Sequence, residues 1–168
     1  MTTSQPRRDP DALYRAVAPA VLGYLRAQGV TDPEDILMEV FVTVVRDLDD
    51  IRGDDEAVRR WVFSIAHHRV VDQRRWQARR TRLDGTELER LTGTAEAADI
   101  ATLGPDPALV AALAQLTDDQ RAVLGLRLVA DLSIDDVARI LHKRPDAIKA
   151  LQHRATDRLA KLLTPAED

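Results

Sequence analysis

Apolar side chains recur three and four residues apart along most of this chain, and that spacing commits it to helices. Between Asp11 and Gln28 they stand at Leu13, Ala16, Val17, Ala20, Val21, Tyr24 and Leu25, and Gly29 closes the segment. Pro19 interrupts it, which predicts a kink or a fresh helix start. Asp32 reads as an N-cap, Pro33 suits a first turn, and Glu34 and Asp35 complement the positive end of the dipole. The helix they open runs to about Leu48, with Leu37, Val40, Phe41, Val44, Val45 and Leu48 on its apolar face. Ile36, Met38 and Val42 widen that stripe beyond what a small core needs, so part of it reads as a docking surface.

Residues 49–56 form a polar loop around Gly53. A long helix follows from about Ala57, with Val58, Trp61, Val62, Ile65 and Ala66 inward and an arginine-rich end reaching Arg82. Residues 83–107 are rich in Gly, Thr, Ala and acids, end in Gly-Pro-Asp-Pro, and read as a flexible acidic linker. Order resumes over 107–116. Thr117 with Gln120, then Ser133 with Asp136, predict two capping boxes. The first opens a helix with apolar positions Val123, Leu124, Leu126, Leu128 and Val129; the second leads through Val137, Ala138, Ile140 and Leu141. After a break at His142-Lys143-Arg144, Pro145 starts a last helix with Ile148, Leu151, Ala155, Leu159 and Leu162 inward.

Composition points the same way. The chain is 45% hydrophobic but only 4% aromatic, with seven glycines in 168 residues, which favours an all-α protein of two small helical domains. The absence of Cys excludes disulfides and cysteine-based zinc or redox sites. No apolar run approaches the ~20 residues needed to span a bilayer, and the N-terminus lacks a signal-peptide core. A soluble cytoplasmic protein with no membrane insertion of its own is expected.

Net charge is −4, but its distribution is not uniform. Segment 31–56 carries ten acids against two arginines, segment 67–82 six arginines against one acid, segment 84–106 six acids against one arginine, and segment 142–161 six cations against two acids. The alternation fits two surfaces that face a polyanion and two that face something basic. The last two helices, Ser-Ile-Asp-Asp-Val-Ala-Arg-Ile-Leu and the basic helix from Pro145, have the spacing of a helix-turn-helix. Its second helix turns Lys149, Gln152, His153 and Arg154 away from the apolar side, where such groups reach phosphates and base edges. An ordinary pair of bundle helices with a solvated basic face accounts for the same segment. There is no Gly-rich phosphate loop, nucleophile elbow or ligand cluster, so no enzyme, metal or cofactor site is expected. His68 and Asp72, four apart, read as a solvated pair.

The stretch LAQLTDDQRAVLGLRLVADLSIDDVARILHKRPDAIKALQHRATDRL resembles the fourth region of bacterial RNA polymerase sigma factors of the sigma-70 family. DPEDILMEVFVTVVRDL followed by IRGDDEAVRRWVFSIAHHRVVDQRR is similar to their second region. With only a linker between them, the order resembles the extracytoplasmic-function (ECF) type, and the LQHRA turn is similar to actinobacterial members. The resemblance implies a flexible tail over 1–10, a region 2 domain over 11–82, a linker over 83–107 and a region 4 domain over 108–164. It implies an alternative sigma factor that binds core RNA polymerase through the largest-subunit coiled coil and the flap, reads −35 and −10 promoter DNA, and is held inactive by an anti-sigma factor. That location is cytoplasmic: on the nucleoid when active, or tethered to the membrane through the anti-sigma factor.

The same resemblance assigns residues. Core polymerase contact falls to Asp35, Met38, Glu39, Val40 and Phe41, with Met38 standing where Gln is common. The −10 contacts fall to Asp50, Ile51, Arg52 and Gly53 in a base-capturing loop, and to His68, Arg74, Arg75, Trp76 and Arg79 on the helix that faces the melted strand. Arg75, Arg79 and Arg82 share one helical face and suit a phosphate backbone. Trp76 has two readings, a stacking platform for an unpaired base and a cap on the core. The −35 contacts fall to Lys143, Arg144, Lys149, Ala150, His153 and Arg154. His142 replaces a usual Gly in the turn, and Arg144 replaces the usual Ser or Thr cap. The acidic linker suits a path through basic surroundings in the polymerase, or serves as a plain tether. A sigma-like decoy that binds an anti-sigma factor without starting transcription is the alternative, but it has no need of both basic faces. A two-domain repressor leaves the first half unexplained.

Overall fold

Three helix starts in this chain stand at acid–proline pairs, Asp9-Pro10, Asp32-Pro33 and Asp106-Pro107. The Asp9 carboxylate accepts from the Asp11 amide at 3.0 Å, so α1 (Pro10–Ala27) begins there with Pro10 in its first turn. The computed structural model describes residues 8–84 and 106–164, so nearly all of the linker expected over 83–107 lies outside the described residues. Helix α1 continues through Pro19 and does not restart there. Arg15 and Pro19 are both exposed, so water can take the Arg15 carbonyl that a proline four residues on leaves unpaired. Gly29 ends the helix at φ 69°, and its amide returns to the Arg26 carbonyl at 3.0 Å.

Helix α2 spans Pro33–Asp47. Asp32 stands at its N-cap but does not cap with its side chain as expected: its backbone is left-handed (φ 53°, ψ 59°), and its carbonyl instead takes the Asp35 and Ile36 amides. A 3-10 turn follows over Leu48–Asp50. The helix after the loop, α3 (Asp55–Asp84), starts two residues earlier than the spacing predicts because Asp54 caps it, accepting from the Ala57 amide at 2.9 Å. Val58, Val62, Phe63, Ala66 and Val70 of α3 pack against Val21, Tyr24 and Leu25 of α1 and Val40 and Val44 of α2. Past Val70 none of the residues of α3 whose burial is described, 71–83, is buried.

The second half is built from α4 (Pro107–Ala114), α5 (Asp118–Leu124), α6 (Ile134–Leu141) and α7 (Pro145–Leu163). Among the described residues there is no strand, as the composition predicts. The Thr117–Gln120 capping box forms in both directions. Ser133 forms only half of its own: its hydroxyl takes the Asp136 amide, while the Asp136 carboxylate turns to Arg60, 2.8 Å away. Between α5 and α6 the helix widens into a π turn, Gly125–Val129. The extra residue rotates the following positions, so Leu128 and Val129, expected inward, are 69% and 37% exposed. His142 takes the left-handed conformation that its turn demands (φ 53°, ψ 43°), and Arg144 leaves α7 without a side-chain cap, as expected.

The two domains are not held apart. One apolar core runs through both, joining Val21, Tyr24 and Phe63 to Val123, Leu126, Ala130, Val137 and Ile148. Gly125 makes the approach possible: a Cβ there would lie 2.7 Å from the Tyr24 ring. Leu116, Leu124 and Ala155 form a smaller cluster inside the second domain.

Candidate polymerase and promoter interfaces

The face of α2 that turns from the core is part acidic and part apolar. Asp35 and Glu39 are exposed, Met38 is 55% exposed, and Val42 and Val45 are 66% and 56% exposed beside them. Val40 and Phe41 lie in the core instead, at 0% and 5% exposure, and Phe41 meets the Tyr14 ring edge-on at 4.7 Å. Both stand on the apolar stripe with Leu37 and Val44, which already accounts for them. Three large exposed apolar groups on one short helix form a patch of the kind that marks an interaction surface.

The loop between the 3-10 turn and α3 presents Asp50, Arg52 and Gly53 to solvent with Ile51 partly buried. Gly53 has φ 119°, and a Cβ there would fall 2.6 Å from the Ala57 Cβ, so no other residue fits that turn. Behind it, between α1 and α3, lies a cleft of about 420 Å³ with Leu13, Val17 and Val58 in its lining and no aromatic side chain. Along α3, His68, Arg75, Trp76 and Arg79 are exposed. Trp76 is 52% exposed and lies outside the core, with the Arg80 guanidinium 5.3 Å from its ring centre. The ring is therefore open on the helix surface, between the exposed Arg75 and Arg79.

Arg74 is placed differently. Its guanidinium donates to the side-chain oxygen of Gln28 at 3.0 Å and to the Gln28 carbonyl at 3.3 Å, and stands 3.6 Å from Asp118 of α5. Gln28 is the one buried polar side chain among the described residues. It donates in turn to the Arg121 carbonyl at 3.1 Å, while the Arg121 guanidinium reaches back to the Gln28 carbonyl at 3.3 Å. Arg59 bonds the Ala130 carbonyl at 2.6 Å, and with Arg60–Asp136 these contacts fasten one domain to the other. Beside them Tyr24 Oη and His67 Nδ1 are 2.9 Å apart. Burial first, then the charge of Arg74, holds His67 down to about 4, so it is neutral near pH 7. Burial pushes the Tyr24 hydroxyl above its usual range. Gln28, Arg59, Arg60 and Arg121 carry no signal in the sequence, because each acts on a partner far along the chain.

On α7 the expected groups gather on one open face: Arg144, Lys149, Ala150, His153 and Arg154 are all exposed. Their contacts are local: Lys149 pairs with Asp146 at 3.6 Å, a weak surface bridge, and His153 Nε2 lies 3.3 Å from the Asp157 carboxylate. Lys143 lies at the turn, paired with Asp119 at 3.0 Å. No described helix is long and apolar enough to cross a membrane.

Comparison with known proteins meets this geometry. The Sigma-70 region 2 family matches residues 13–80, and the Sigma-70 region 4 family matches residues 107–159. ECF RNA polymerase sigma factor ShbA of Streptomyces griseus is 32% identical over 134 residues, covering 77% of this chain and 70% of the relative. ECF RNA polymerase sigma factor BldN of Streptomyces coelicolor is 30% identical over 158 residues, which is 91% of this chain but 56% of BldN. In fold the chain is similar to the sigma factor RpoE of Bartonella quintana, solved in complex with the anti-sigma factor NepR (TM-score 0.75, 22% identity, 94% of this chain and 98% of that one). With both regions present in order, and a relative above 30% identity matched over most of its length, the chain belongs to the ECF RNA polymerase sigma factors.

Proposed function

We propose that the chain binds core RNA polymerase, directs initiation from a dedicated set of promoters, and is held inactive by an anti-sigma factor. In this reading Asp35, Met38 and Glu39, with Val42 and Val45, meet the coiled coil of the largest subunit, and the second domain meets the flap. Loop 50–53 and the exposed row of α3 (His68, Arg75, Trp76 and Arg79) meet the −10 strand. Arg74 joins them once it leaves Gln28 and Asp118. Lys143, Arg144, Lys149, Ala150, His153 and Arg154 meet the −35 duplex. The protein works as a binding subunit in the cytoplasm, on the nucleoid when active, with no chemistry of its own. The observation that carries this is the pairing of two exposed basic surfaces, one on each matched region, with a separate acidic and apolar face on α2. RpoE of Bartonella quintana, in complex with its anti-sigma factor, supports the expected regulator.

Run-off transcription with purified bacterial core polymerase and a promoter-containing genomic library tests it. Specific new transcripts are expected, and Lys149→Ala with Arg154→Ala should remove them. A chain that binds core or an anti-sigma protein yet starts no transcript would be a decoy.

A further inference from the structure

Arg8 immediately precedes the Asp9 cap of α1, yet its side chain works more than forty residues away. One guanidinium nitrogen donates to the Ile51 carbonyl at 2.9 Å, and the other donates to the Gly53 carbonyl. The fork therefore straddles Arg52, which is left exposed between the two anchored carbonyls. The neighbouring backbone bonds lie outside this span: the Ile51 amide returns to Leu48, and the Ala57 and Val58 amides are taken by Asp54. Besides Arg8, the loop is shaped by the left-handed Gly53, the two flanking caps and the Ile51 side chain, which packs against the core. Charge-assisted bonds from a planar fork are stronger and more directional than neutral ones. They hold a short segment whose freedom would otherwise be lost on binding.

We propose that Arg8 is a positioning residue for promoter recognition: by clamping the Ile51 and Gly53 carbonyls it sets the shape in which loop 50–53 meets the −10 strand, and so the base preference there, without touching DNA. This rests on the reading of that loop as a −10 contact. No segment before α1 needs to reach the nucleic acid for the clamp to act.

The test uses the full chain assembled with core polymerase, once its promoters are known from run-off transcription. Short fluorescent single-stranded oligonucleotides, with each position of the −10 element carrying each base in turn, are titrated against wild type, Arg8→Ala, Arg8→Lys and Arg52→Ala. For Arg8→Ala the preferred oligonucleotide should bind roughly tenfold more weakly, and the spread between bases should flatten, because a preorganised loop has become a mobile one. Arg8→Lys should fall between, since an ammonium cannot fork. Core affinity and −35 duplex binding should stay at the wild-type level. The salt slope should also be unchanged in Arg8→Ala; a slope smaller by about one would make Arg8 a phosphate contact and overturn the proposal. Unchanged discrimination in Arg8→Ala, with Arg52→Ala impaired, overturns the clamp and leaves the loop reading intact. Unchanged binding in both variants overturns the loop reading, and the clamp with it.

Discussion

Helices α3 and α7 both carry rows of cations, but they hold them under different conditions. On α7, Lys149 and Arg154 stand in solvent, with ion pairs no further away than the next turn. On α3 the row divides: Arg75 and Arg79 are free to solvent, whereas Arg74, one residue earlier, is built into the contact between the domains. A solvated cation can exchange its counterions for a phosphate at no structural cost. A guanidinium bonded to a buried amide must first leave it. A cation is thus left open to a ligand in one place and serves as a fastener in the other.

The largest effect should come from the solvated set. Lys149→Ala with Arg154→Ala should weaken −35 duplex binding by the holoenzyme by about 3 kcal/mol, on the order of 100-fold, and lower the salt slope by about two. Urea midpoints of the free chain should barely move, as for other exposed substitutions, within ~0.5 kcal/mol. A large loss of folding stability would break the comparison.

Next is His67, neutral between the domains with Arg74, His68, Asp119 and His142 around it. An unfolded histidine takes a proton near 6.5, whereas the folded one holds out to about 4. In that window the unfolded chain binds more protons, so stability falls as pH is lowered from 6.5 towards 4, by at most about 3 kcal/mol. Urea titrations of wild type and His67→Asn across this range should differ by that slope, with the variant flatter.

Arg74→Ala should cost about 1–3 kcal/mol of stability by leaving the buried Gln28 oxygen short of a donor. It should also raise the His67 titration seen by NMR, because a positive neighbour is gone. Arg75→Ala should do neither, which sharpens the contrast between adjacent arginines. The smallest effect belongs to the turn before α7, where His142→Gly should raise the melting temperature by relieving up to about 1 kcal/mol of left-handed strain.

What could be read from the chain beforehand was what depends on neighbours three or four residues apart. The Thr117–Gln120 box and the exposed face of α7 are of this kind. Asp136 satisfied the same local rule as Gln120, but a partner 76 residues away, Arg60, claimed its carboxylate. Val40 and Phe41 stood both on the apolar stripe and in a motif read as surface; burial of 0% and 5% exposure resolves that conflict in favour of periodicity. For Trp76 the opposite holds: Gln73 and Gln77 on either side of it bond Thr31, but the ring stands on another face of α3 and is 52% exposed. Gln28 continues the α1 stripe, four residues on from Tyr24, but its partners and those of Arg8 lie far along the chain and only the fold brings them together.

The shared core has a consequence for the scale of the work this protein does. A chain of this length, closed on itself, has a radius of gyration of about 15 Å and is ~40 Å across. By their own coordinates the −35 and −10 elements are centred about 25 base pairs apart, roughly 85 Å of duplex. The closed form cannot hold both, so on the proposed reading the form that reads a promoter is one in which Gln28 has lost Arg121 and Tyr24 has been drawn off Gly125. Apparent promoter affinity is then the intrinsic affinity scaled by the fraction of molecules that are open. Any partner that prefers the open form, polymerase first among them, acts as an activator simply by holding the halves apart, and any partner that prefers the closed form silences the chain without covering a single DNA-binding side chain.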